Sequence, residues 1–333
     1  MSTPNALKIV VMGTGPFAVP SFEAIRKSGD SIVAVVTKPE PPVKSRKGPP
    51  PAPVRTWAEE NGLPIFDPMI INDDEAVRKL VELAPDLLVV CDYGQILKPQ
   101  ALGVARLGGI NLHGSLLPAY RGAAPVQRAL LSGDPETGVC VIHMTPRLDG
   151  GPVIAKTATA ITPDETAGEL EERLSELGVE LVIQSIDQLR QWDGEQTIGE
   201  IQDPELATKA PRLNKREAQI DWTWPRAKID CHVRGMQPWP IAYSEIEVRS
   251  GKPAQRIAVL AVSNVEDADI EDGSNGLVPG QVTGGKDLVV CCGDGLLRID
   301  SLRPAGKNQM SGEQWMRGHQ LQRGVAFELP TFE

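Results

Sequence analysis

"LKIVVMGTGPFAVPSFEAIRKSGDSIVAVVT" occupies residues 7–37. Residues 7–15 are an apolar run that ends in a glycine turn. "FAVPSFEAIRKSG" (17–29) places its apolar residues at helical spacing and closes on Gly29. "SIVAVVT" (31–37) is a second apolar run. Neither run alternates apolar with polar residues, so each strand must be covered on both faces. Strands of that kind, joined by a helix, belong to a parallel sheet.

The pattern continues outward. "VRTWAEENG" (54–62) and "DDEAVRKLVELA" (73–84) have helical spacing, while "DLLVVCD" (86–92) and "GINLH" (109–113) are further buried strands. "ETAGELEERLSELGVELVIQSIDQLRQW" (165–192) predicts a long helix, broken at Gly178. Residues 193–213 show no sustained period and are expected to be a linker. From residue 214 the chain changes to short alternating segments, "IAYSEIEVR" (241–249), "RIAVLAVS" (256–263), "DLVVCC" (287–292) and "LLRIDSLRP" (296–304), with Gly-rich turns between them. That spacing predicts a small β-barrel or sandwich. The expected fold is therefore α/β, a Rossmann-like, doubly wound, mostly parallel sheet over residues 1–192, with a separate β domain over 214–333.

Composition narrows the function. The 333 residues are 41% hydrophobic and only 4% aromatic. No apolar run approaches the roughly 20 residues of a membrane span. The N-terminus lacks a secretory n-region, so a cytoplasmic protein without membrane contact is expected. The five cysteines have neither framework nor metal spacing, and the four histidines do not cluster; free thiols and no metal are expected. A net charge of −10 disfavours bulk coating of nucleic acid. The charge is uneven, with 18 Lys and Arg against 28 Asp and Glu in residues 1–207, and 16 against 16 in residues 208–333. A nucleic-acid partner must then bind local patches. "KPEPPVKSRKGPPPAPVR" (38–55) is a proline-rich basic segment that is either a solvated linker or such a patch, a basic loop leaving the second strand at the carboxyl edge of the sheet, where ligands of such sheets bind.

Asn111 and His113 are the residues that do not belong in a buried strand. At i and i+2 they share one side of it. An amide and an imidazole can both donate to one oxygen, which suits a carbonyl that gains negative charge during acyl transfer, and the imidazole can also move protons near pH 7. The alternative is a hydrogen-bonded core pair. Asp149, in the turn of "MTPRLDGGPVIAK" (144–156), is either a turn residue or the carboxylate beside that imidazole. His143 has no polar partner two residues away and is expected to be a packing or surface histidine. "GTGPFA" (13–18) fits a loose dinucleotide pattern, yet the second strand ends without the ribose-binding acid, and Pro16 removes an N–H. A structural turn is expected there. No G-x-S-x-G elbow is present, so direct attack by an external nucleophile on a bound carbonyl fits better than a covalent intermediate.

"NLHGSLLPAYRGAAPVQRALLSGDPETGV" (111–139) together with "LDGGPVI" (148–154) closely resembles the 10-formyltetrahydrofolate-dependent formyltransferases. The resemblance implies Asn111, His113 and Asp149 as the catalytic set. It implies that Ser115, Leu116, Leu117 and Pro118 line the site of 10-formyltetrahydrofolate. "DYGQIL" resembles the family loop whose backbone reads the pterin ring, here Tyr93, Gly94, Gln95, Ile96 and Leu97. "AQIDWTWPRAKIDCHVRGMQPWPIAYSEI" (218–246) and "GDGLLRIDSLRPAGKNQMSGEQWMRG" (293–318) resemble the C-terminal domain of the tRNA-acting members, an OB-like β-barrel. That branch implies initiator methionyl-tRNA as formyl acceptor, and a monomer is expected. The basic-loop arginine of those members matches Ser45 here, so Lys44, Arg46 and Lys47 are the expected tRNA contacts. The competing readings are a sugar-formylating member, which would be expected beside a fused dehydrogenase, a folate-hydrolysing member, which gives the second domain no task, and a non-catalytic folate- or RNA-binding module, which has no need of the Asn/His/Asp set.

Overall fold

The computed structural model describes residues 6–40, 52–249, 251–270 and 273–330. The chain divides into two compact units. The first comprises residues 1–126, 136–160 and 170–211, and the second residues 127–135, 161–169 and 212–333.

The first unit is built on strands β1 (Lys8–Gly13), β2 (Ser31–Val36), β3 (Ile65–Phe66), β4 (Leu87–Cys91) and β5 (Gly109–His113), with a two-residue strand β6 (Arg121–Gly122) and the longer β7 (Glu136–His143) and β8 (Val153–Ala160). The main sheet runs β3-β2-β1-β4-β5-β7-β8. It is parallel as far as β5, and β7 and β8 are antiparallel. All five residues of β4 are buried, as are five of the six in β1. That burial explains the uninterrupted apolar runs, because helices cover both faces and no face is left for polar side chains. The helices are α1 (Val19–Lys27), α2 (Pro53–Glu60), α3 (Asp74–Leu83), the short α4 (Pro99–Leu102), α5 (Pro125–Ser132) and α6 (Ala167–Arg190). Of these, α5 falls mainly in the second unit, as do the first three residues of α6, and the rest lie in this one. α1 and α2 both begin on proline within their first two positions, where the missing N–H would have had no partner.

Two glycine-rich sites depart from simple turns. The expected break at Gly178 does not occur, and α6 is one continuous helix. A Cβ at Gly178 would lie 2.6 Å from Leu112 Cδ2, so the glycine lets α6 approach the middle of β5. In the Gly13–Gly15 turn, a Cβ on Gly13 would lie 2.7 Å from the Cys91 carbonyl oxygen, and one on Gly15 would overlap the Asp92 carboxylate. Thr14 donates to the Asp92 carbonyl through both its N–H (3.1 Å) and its hydroxyl (2.6 Å). The two glycines permit this close packing against the end of β4.

Residues 193–211, expected to be a linker, lie within the first unit. They form a strap held by the backbone. Glu200 and Val153 exchange both N–H···O bonds at 2.8 Å. Further along, β9 (Lys209–Ala210) pairs in parallel with β6. The segment lacks sequence periodicity because it makes isolated backbone pairings and has no continuous buried face.

The second unit carries α7 (Arg226–Gly235), β10 (Tyr243–Ile246), β11 (Gln255–Val265), β12 (Val289–Cys292), β13 (Gly295–Pro304), β14 (Met310–Ser311) and α8 (Gly312–His319). Its antiparallel order is β10-β11-β13-β12, with β14 on β13. Isolated bridges Val282–Val290, Gln281–Ala326 and Ile246–Phe327 add antiparallel pairing between the β12 and β10 ends of this sheet. The second unit is thus an antiparallel half-barrel, in keeping with the expected small barrel. Trp222 is fully buried, packs 5.4 Å from Phe327 between ring centroids, and donates its indole N–H to Ser244 Oγ at 3.0 Å. Among the described residues no helix is long and apolar enough to cross a membrane.

Candidate active site

β5 lies at the point where the sheet changes from parallel to antiparallel, between β4 and β7. Asn111 is paired in register with Val90 and Ile142, and His113 with Cys140. The two polar residues share a face at the carboxyl end of the strand, and Leu112 between them faces α6. Among the described residues Asn111 has no side-chain hydrogen-bond partner. It is also only half-buried, so its amide is available to an incoming group.

His113 is 6% exposed. Its Nε2 lies 2.9 Å from the Tyr120 carbonyl oxygen. A carbonyl can only accept, so Nε2 donates, and in the tautomer that this contact selects the lone pair is on Nδ1. Nδ1 faces Asp149 Oδ2 at 3.9 Å, too far for a direct hydrogen bond. The Tyr120 carbonyl therefore orients the imidazole. The carboxylate instead stands across a gap in which one donor could reach both atoms. Tyr120 itself adopts a left-handed backbone, φ 62°.

Asp149 is held on the far side of that gap. It too is left-handed, at φ 46°, a conformation that Asp tolerates better than most residues. Its Oδ2 accepts the Gly122 N–H at 2.8 Å. Gly151 lies so close to the end of β7 that a Cβ would sit 1.8 Å from the His143 carbonyl oxygen. The glycine pair after Asp149 thus keeps the turn tight against the sheet.

Sequence reasoning missed the strap. Gln202 is 8% exposed, and its Nε2 donates to the carbonyl oxygens of Asp149 (2.8 Å) and Gly151 (2.6 Å). Its Oε1 accepts from Arg121 Nε (3.1 Å) and Nη2 (2.6 Å). Burial, with nearby Arg147, lowers the Arg121 pKa, and Asp149 opposes that shift. Thr208 Oγ1 accepts the Tyr120 N–H at 2.8 Å. Nothing local marks Gln202 or Thr208 in an aperiodic stretch, and only the backbone pairing of the strap brings them here.

The loop after β5 uses its side chains unevenly. Ser115 is fully buried and its hydroxyl donates to the Ala119 carbonyl at 2.6 Å. Leu117 is buried with Cys140, Ile142 and Val153. These two hold the loop from inside, while Leu116 and Pro118 remain partly accessible. The loop after β4 divides similarly. Tyr93 and Leu97 are buried, and burial raises the Tyr93 hydroxyl pKa. Gln95 accepts the Ile71 N–H at 3.0 Å, whereas Ile96 is 61% exposed. Gly94 is left-handed at φ 75°, and a Cβ there would meet Lys38 Nζ at 2.7 Å. Among the described residues the backbone N–H groups of Gly94, Gln95 and Ile96 have no partner. On α6, burial and then the Asp92 charge push Glu171 up to about 7. His143 packs 5.1 Å from the Trp192 ring, with Nε2 at 3.0 Å from the Leu107 carbonyl. Lys44, Arg46 and Lys47 lie outside the described residues.

Comparison with known proteins shows the family of the chain. The Formyl transferase family matches residues 7–186, and the Formyl transferase C-terminal domain matches residues 212–320. The chain is 58% identical over 333 residues to a methionyl-tRNA formyltransferase of Rhodopirellula baltica, covering 98% of each chain. The chain belongs to the methionyl-tRNA formyltransferase family. A second member, from Methylococcus capsulatus, is 39% identical over 95% of this chain and 98% of its own. Membership of this family makes the chain an enzyme of formyl transfer, with the α/β sheet and the antiparallel half-barrel as its two parts. A crystal structure of HypX from Aquifex aeolicus in complex with tetrahydrofolic acid shares the fold, with a TM-score of 0.61 at 12% identity over 94% of this chain and 47% of that one.

Proposed function

We propose that this chain transfers the formyl group of 10-formyltetrahydrofolate to the α-amino group of methionyl initiator tRNA, and that Asn111, His113 and Asp149 carry the step. The observation that carries the reading is the open amide of Asn111 on the same strand face as an imidazole whose Nδ1 confronts Asp149 across 3.9 Å. In this reading Asn111 donates to the formyl oxygen as negative charge builds on it. The attacking amine must be neutral, and one of its N–H groups would lie between Nδ1 and Oδ2. His113 Nδ1 takes the proton as the C–N bond forms, and the Asp149 carboxylate stabilises the resulting imidazolium. The same proton is then available to N10 of the departing folate, so acid and base roles balance.

The unpartnered N–H groups of Gly94–Ile96, with the accessible faces of Leu116 and Pro118, would hold the folate donor. Lys44, Arg46 and Lys47 would contact tRNA phosphates, a role that tolerates shifts in position. Asn111→Ala should lower kcat about 10²–10³-fold, the usual loss of one oxyanion donor. N-formylmethionine formation on charged initiator tRNA measures it. Near-normal turnover by Asn111→Ala or His113→Ala at saturating substrates would refute the assignment.

A further inference from the structure

We infer that the strap residues Gln202 and Thr208 are positioning residues that set the two sides of the His113–Asp149 gap. This rests on the catalytic reading of His113 and Asp149 given above. Among the described residues the imidazole's hydrogen bond is to the Tyr120 carbonyl, and the adjoining Tyr120 N–H is held by Thr208 Oγ1 at 2.8 Å. On the other side, the Gln202 amide ties the carbonyls of Asp149 and Gly151 together at 2.8 and 2.6 Å, which fixes a left-handed turn whose carboxylate faces Nδ1. Gln202 Oε1 is in turn fixed by two bonds from Arg121, which neighbours Tyr120 in sequence. The strap therefore links the residue that orients the base to the residue that stands opposite it. An isolated bridge ties Glu200 to Val153 of β8, and β9 pairs with β6 in a separate two-stranded sheet, so backbone pairing anchors the strap on both sides of Gln202.

The geometry singles out the donor side of the Gln202 amide. Gln202→Glu keeps the shape and the acceptor for Arg121, but turns the group facing the Asp149 and Gly151 carbonyls from a donor into an acceptor. A role confined to holding Arg121 would survive that exchange. A positioning role would not, because two carbonyls would face a carboxylate.

The test is steady-state kinetics and a pH–kcat profile on the full-length enzyme with initiator tRNA. Gln202→Glu should lose about 10–100-fold in kcat, the usual effect of disturbing an outer support, with KM for both substrates within about threefold. It should also displace the pH limb that His113→Ala abolishes. In an Asp149→Ala background, Gln202→Glu should add less than twofold, because a residue acting through Asp149 has nothing left to position. Should Gln202→Glu fail to fold, as judged by its melting transition, Thr208→Val reads the other side, with the same loss in kcat at unchanged KM. Unchanged kcat and pH limb in the folded variant, or full additivity with Asp149→Ala, overturns the positioning role. Normal turnover by Asp149→Ala overturns the catalytic reading itself, so the two failures are distinguishable.

Discussion

The two sides of the candidate site are built by opposite means. Asn111 and His113 sit on β5, a regular strand paired on both edges and fully legible as a strand in sequence. Asp149, Tyr120 and Gln202 sit on irregular backbone, two of them left-handed, stitched together by side-chain-to-backbone bonds. The strand fixes its side chains by periodicity. The irregular side must fix each group by its own hydrogen bond and by glycines where the backbone approaches too closely for a Cβ. A regular element tolerates a local insult by sharing it along the ladder, whereas a stitched one loses its geometry at a single point.

Substitutions can break that comparison. Gly151→Ala drives a Cβ to within 1.8 Å of the His143 carbonyl, a backbone atom that cannot move aside. It should displace the Asp149 turn, lower kcat by about 10³-fold and cost about 2–4 kcal/mol by thermal unfolding. Gly178→Ala is the matching insult to the strand side. Its Cβ meets Leu112 Cδ2 at 2.6 Å, the end of a side chain that can rotate, and alanine gains about 1 kcal/mol of helix propensity. The melting temperature should change little and kcat should fall less than about tenfold. A larger loss from Gly178→Ala than from Gly151→Ala would invert the comparison.

The smallest expected effect on turnover concerns a histidine as buried as His113 but outside the site. His232 on α7 packs against Trp224 at 5.2 Å, and its Nε2 has no partner among the described residues. Burial pushes it down to about 4. The folded state therefore resists a proton that the unfolded chain accepts. Stability from this group is complete above about pH 6.5 and is lost as pH falls towards 4, by up to about 3 kcal/mol. Glu171 in the first unit runs the other way, since its raised pKa makes stability fall as pH climbs from about 4.5 to 7. Urea unfolding of His232→Phe should lose the acid-side slope while turnover at neutral pH stays within twofold. A retained slope would show that another group sets it.

Much of the first unit is legible in the amino-acid sequence. β1, β2, β4 and β5 follow from apolar runs, because a strand covered on both faces has no freedom to be polar. Asn111 and His113 stand out for the same reason, as polar residues where the rule forbids them. Gly178 misleads because a glycine in a helical pattern signals either a break or a close approach, and only the partner Leu112 distinguishes them. The strap resembles a linker because its order comes from isolated backbone pairings that leave no period.

The sequence by itself determined which elements form and which residues are chemically out of place, since both depend on local periodicity and side-chain type. The tertiary structure decided which nitrogen of His113 faces Asp149, how far apart they stand, and that Gln202 and Thr208 hold them. Those are distances between segments up to about a hundred residues apart, set by chain crossings that no local pattern encodes.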